Sequence, residues 1–139
     1  MMIEQTVYIP SCDWTAHICY DVRPNDTRDV IHLLERYGCL ERHLYKAENL
    51  LRSGTPNQGL TYSDIYGRRS LIAIGHATDV LQFFNSLSHE KQHLEQAICK
   101  ADNLNPYGED IAYASGAITE AIARNAWRMA RKLFLLNII

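Results

Sequence analysis

No stretch of this chain approaches the roughly 18 consecutive apolar residues that a membrane span needs. The start, Met1-Met2-Ile3-Glu4-Gln5-Thr6-Val7-Tyr8, lacks a basic flank followed by an apolar run of the kind that directs export, so the expected address is cytoplasmic. Charge of one sign is also missing. Charged residues make up 22% of the sequence and the formal net charge is −2, which leaves no basic footprint for nucleic acid or anionic lipid, and neither is expected as a partner. The four cysteines, Cys12, Cys19, Cys39 and Cys99, show no C-x-x-C spacing and lie among apolar neighbours. They are expected to be reduced and mostly buried, and a secreted, disulfide-built domain is excluded. Internal repeats and low-complexity segments are absent. The 139 residues fit one domain, 1–139, able to bury about two-thirds of its unfolded surface in a single core.

What is present is patterned. Ile3 to Ile9 is rich in β-branched and aromatic residues and stops at Pro10. Trp14 to Val22 is a second strand, and the short linker between them lets the two pair. Asn25 or Asp26 caps a helix carrying Val30, Ile31, Leu33, Leu34 and Tyr37, which Gly38 closes; a second helix follows from about Cys39 to Leu51. His32 and His43, on these helices, have no partner four residues away and read as surface or structural histidines. The turn cluster Ser53 to Gly59 separates this pair from two further strands, Leu60 to Tyr66 and Ser70 to Gly75, joined by Gly67-Arg68-Arg69. The second is apolar nearly throughout and reads as an interior strand, and Arg68 and Arg69 read as solvated turn residues. His76 at the strand end reads as a loop histidine that could approach a neighbouring site. A last helical region runs from near Glu109 toward Leu136, with Gly116 and Thr119 marking a break, and its arginines suit a helix C-terminus. The expected fold is α+β: a small mixed or antiparallel sheet of about four strands with helices packed on it.

Between the last strand and the last helix, Thr78 to Asp102 has apolar residues at three- and four-residue steps, the helical period. Within it stands His89-Glu90-Lys91-Gln92-His93, an H-E-x-x-H sequence. On a helix, residues four apart share a face, so His89 and His93 can offer two imidazole nitrogens to one ion, two of the three protein ligands of a catalytic zinc. Glu90, about 100° round the helix, is placed to hold a water and act as general base without ligating. A solvated helix face rich in His, Glu, Lys and Gln would give the same letters with no metal at all. A third ligand at the spacing H-E-x-x-H-x-x-G-x-x-H is excluded, because Gln96 and Cys99 stand where glycine and histidine would be; without the glycine the helix runs on and carries Cys99 off the histidine face.

Gly108-Glu109-Asp110-Ile111-Ala112-Tyr113 follows after a short loop. With His89, Glu90 and His93, the residues Glu109, Ala112 and Tyr113 make the chain resemble zincin metallopeptidases of the gluzincin kind, most of all small single-domain zincin-like proteins of bacteria and their phages. The likeness covers about Ser70 to Ile118. It implies a minimal zincin-like fold and a Zn²⁺ ion held by His89, His93 and Glu109. The implied activity is hydrolysis of a peptide or protein substrate, with Glu90 as general base and Tyr113 hydrogen-bonding the oxyanion. Tyr113 also reads as a half-buried core tyrosine, and Asp110 competes with Glu109 as ligand because Asp110 and Tyr113 reproduce the three-residue spacing of aspzincins. Tyr113 stands where larger gluzincins have an orienting aspartate. Related folds bind extended substrate along a strand beside the metal, a role open here to part of Leu60 to Gly75. Reach is the constraint: His93 lies about 14 Å behind the helix end and the loop Asn103 to Gly108 spans at most about 20 Å. A tight hairpin would instead set Glu109 opposite residues 97 to 98 and leave a two-histidine site or none. The alternative function is a catalytically silent zincin-like scaffold acting as an interaction or regulatory module.

Overall fold

A computed structural model describes residues 2–138. Strand β1 (Ile3–Ile9) turns through a 3₁₀ segment into β2 (Trp14–Val22). Helices α1 (Thr27–Arg36) and α2 (Glu41–Ser53) follow, then β3 (Gly59–Asp64), β4 (Arg69–Gly75), α3 (Val80–Asp102) and α4 (Glu109–Ile138). The fold is α+β with a four-stranded mixed sheet in the order β1-β2-β4-β3. β1 and β2 pair antiparallel, as their short linker dictates. β2 and β4 run parallel, so the chain between them must cross over a face of the sheet, and α1 and α2 do so. β3 is an antiparallel edge strand on β4.

β2 is buried on both faces. Trp14, Ala16, Ile18 and Tyr20 join Ile72, Ile74, Phe83, Leu94 and Ile98 on the side that α3 and α4 cover. Cys19 and Val22 join Leu71, Ala73, Val30, Leu33 and Leu34 under α1 and α2. Tyr20 and Val22 can face opposite ways because the β2–β4 register shifts between Cys19 and Val22, where Asp21 sits at φ 58 as a bulged residue. Asp79 caps α3 by accepting from the Gln82 N–H at 2.9 Å.

Two expectations fail here. α4 is continuous through Gly116 and Thr119: its buried stripe Ile111, Ala114, Ile118, Ile122, Ala126, Met129 is unbroken, and a glycine on an open face costs too little to interrupt it. The turn arginines are not merely solvated. Arg68, in the left-handed region at φ 54, donates to the Asp13 carbonyl (2.9 Å), the Cys12 carbonyl (2.7 Å) and both Asp102 oxygens (2.7 and 2.9 Å), and lies over the Trp14 ring. One guanidinium thus ties the β3–β4 turn to the β1–β2 turn and to the end of α3. Arg69 bonds Asp64 and the Arg36 carbonyl and stacks over Tyr37.

Arg68→Ala should lower the unfolding free energy by about 1–3 kcal/mol in urea titration, and Arg68→Lys should restore little of it, since an ammonium cannot span the fork. The hydrogen bond from Arg68 holds the Asp102 carboxyl below its ordinary range. The unfolded chain therefore takes up that proton first on acidification, and the contribution, whole above about pH 5, is lost as pH falls through the usual carboxylate range. Wild type should lose more stability than Arg68→Ala between about pH 5 and pH 3.

Candidate metal centre

α3 leaves β4 through a short turn that Asn57 holds, its side chain accepting from the Thr78 N–H and donating to the Thr78 hydroxyl. The helix buries Phe83, Leu87, Leu94, Ala97 and Ile98 against the core. Its next face, with Ser86 and Glu90, turns toward β3 and is also buried. His89 and His93 lie outside that contact and are exposed.

The two histidines meet. Their Nε2 atoms are 3.3 Å apart and their rings cross edge to face. Zn–N bonds of about 2.0–2.1 Å at the tetrahedral angle set two nitrogens about 3.3–3.4 Å apart, so the pair fits one edge of a zinc coordination shell. The same separation suits one imidazole N–H donating to the other's lone pair. Gln96 Oε1 lies 3.3 Å from His93 Nδ1; an Nδ1–H donating there leaves the Nε2 lone pair pointing at His89, the usual outer-shell arrangement of a metal-ligating histidine.

Glu90 is held differently. Only 7% of its side chain is exposed, against 65% for His89, and its Oε2 is 3.9 Å from His89 Nε2. Its Oε1 accepts from the Thr61 hydroxyl on β3 at 2.9 Å. The approach is close because residue 59 is glycine: a Cβ there would lie 2.8 Å from the Ala73 carbonyl oxygen and 2.9 Å from Glu90 Cγ. His89 and Glu90 line one polar cleft with Asn57, Gln58, Gly59, Asn85 and Ser86, at the start of the edge strand.

The loop does not return Glu109 to the histidines. Asn103 takes the left-handed conformation and its N–H bonds the Cys99 carbonyl, closing α3, and α4 doubles back as a hairpin. Lys91 Nζ reaches Ser115 Oγ at 2.8 Å, which sets Glu109 level with Ala97, about 6 Å along the axis past His93. Glu109 and Asp110 are both exposed in the first turn of α4, where their charge suits the helix N-terminus. Among the described residues, the one group of three His, Cys, Asp or Glu donors lying within 4.8 Å of one another is Glu4, His17 and Cys19, which includes none of the α3 residues. Tyr113 is 76% exposed, so it is not a core tyrosine. His76 turns away, toward Asp21 (3.2 Å) and Arg23 (3.1 Å). Cys99 is buried and free.

The sequence marks Gly59 as a turn residue and Thr61 as a strand residue, and nothing local ties either to Glu90; that role appears only when β3 meets α3. No family model, curated protein or solved structure matches the chain.

Thr61→Val should destabilise the fold by about 1–3 kcal/mol, because the Glu90 carboxylate is left buried without its donor. Thr61→Ser, which keeps the hydroxyl, should recover most of this in the same chemical denaturation series. Glu90→Gln, whose amide oxygen still accepts from Thr61, should stay within about 1 kcal/mol of wild type.

Proposed function

We propose that the chain is a metal-dependent peptidase in which His89 and His93 hold a divalent cation, zinc in the first place, and Glu90 is the general base. The observation that carries this reading is the 3.3 Å separation of the two Nε2 atoms, which fits a zinc edge, with His89 lining a cleft that it shares with the Glu90 carboxylate. Zinc bound there would supply a water of pKa near 7 and polarise the substrate carbonyl.

The protein's own groups do the rest. Thr61 anchors one oxygen of Glu90 and leaves the other, on the His89 side, to take a proton and hand it to the departing amine. Edge strand β3 begins at Gly59 beside the cleft and has one unpaired side, so an extended peptide can add to it by main-chain hydrogen bonds and lie across the cleft. Two protein ligands leave more of the metal's shell to water and substrate than three would.

A second reading is favoured by the place of Glu109: a zincin-like scaffold that binds metal through two histidines without turnover. Zinc content and cleavage of a mixed peptide library separate the two. Wild type, Glu109→Ala and Glu90→Gln should each hold an equivalent of zinc that His93→Ala loses. Among these three zinc-holding proteins cleavage should fall about 10²–10⁴-fold in Glu90→Gln only, and in His93→Ala it should be lost with the zinc. Zinc retained with wild type no more active than Glu90→Gln would establish the scaffold. Zinc that His93→Ala does not reduce would sink both readings, and zinc lost in Glu109→Ala would show that α4 completes the site after all.

A further inference from the structure

On the far face of the sheet from α3, the β1–β2 hairpin brings together side chains that the α3 cleft does not use. Glu4 pairs directly with Cys19, and Thr6 with His17, in the antiparallel register. All four therefore project from one face, with His17 one diagonal step from Glu4. His17 Nε2 is 2.8 Å from Glu4 Oε1, and His17 Nδ1 is 3.3 Å from the Thr6 hydroxyl. The donor atoms of Glu4, His17 and Cys19 all lie within 4.8 Å of one another. Cys19 is fully buried, while 16% of the His17 side chain and 49% of Glu4 are exposed, so the cluster has a closed floor and one open side.

We propose that Glu4, His17 and Cys19 form a second cation site, independent of α3, for a divalent transition metal of the zinc type. The donor set selects the class. One sulfur, one imidazole nitrogen and one carboxylate suit zinc or cobalt, whereas magnesium and calcium take oxygen ligands. Three protein donors with an open side match a tetrahedral ion whose fourth corner faces solvent. Thr6 stands as the outer-shell partner that fixes the His17 ring through Nδ1 and leaves Nε2 to the metal. Burial, then the carboxylates of Glu4 and Asp26, push the Cys19 thiol up to about 12. The thiol is therefore protonated without metal, and coordination exchanges its S–H bond for a sulfur–metal bond with the proton passing to buffer. A metal here would pin edge strand β1 to β2.

Cobalt(II) titration of the full chain carrying His89→Ala and His93→Ala, kept reduced, tests the site, because only a thiolate ligand gives a sulfur-to-cobalt charge-transfer band and the α3 pair has none. The band should saturate at one equivalent, vanish in Cys19→Ser, and require at least about tenfold more cobalt in Glu4→Gln and His17→Gln. Absence of the band in the parent chain, or a band unchanged in all three variants, would overturn the proposal. Should Cys19→Ser fail to fold by circular dichroism, Glu4→Gln decides alone, since its carboxylate is solvent-exposed and outside the core.

Discussion

β2 and β4 run parallel, and everything about the candidate centre follows from that pairing. A parallel pair cannot be closed by a hairpin, so α1 and α2 must cross one face of the sheet to deliver β4 beside β2. That leaves the opposite face for whatever leaves β4, and α3 leaves it within a few residues. β3, sent out as an edge strand on the return into β4, then lies beneath the helix. Thr61 meets Glu90 because of this order, and the histidines fall on the exposed side of that contact because they are one position before and three after the buried glutamate.

Several of these features were legible in the residues. β1 and β2 lie where β-branched and aromatic residues begin and where Pro10 and the Asp13 turn stop them, and β4 is interior, as its apolar run implied. The period of Val80 to Ile98 marked α3, and the i, i+4 relation of His89 and His93 needed nothing beyond helix geometry. What was not legible depends on contacts distant in sequence. Arg68 looks like any turn arginine until Asp13 and Asp102 are brought to it. Chain reach allowed Glu109 to return or to miss; the left-handed Asn103 and the turn at Asn105 to Gly108 settle the hairpin. Glu4 and Cys19 become partners only once the β1–β2 register is counted out from Ile9 opposite Trp14.

The two donor clusters differ in kind. On α3 both histidines are exposed, and the buried member, Glu90, is the one held in place by the sheet. On the hairpin the order is reversed: the sulfur is the buried anchor and the carboxylate stands toward water. Exposed ligands exchange readily with solvent and leave room for a substrate, whereas a buried thiolate holds its ion.

β2 carries a further consequence for how the molecule assembles. It is largely buried on both faces, yet its parallel partner is not made until the whole crossover has been synthesised, since Thr15 pairs with Arg69. Helices fold in microseconds, but a chain whose central pairing is this distant waits for loop closure. A polypeptide this rich in helix should thus fold at the pace of its sheet. While β4 is still on the ribosome, the β1–β2 hairpin presents one greasy face, with Trp14, Ala16, Ile18 and Tyr20, and an open edge, which is where a chaperone would find it.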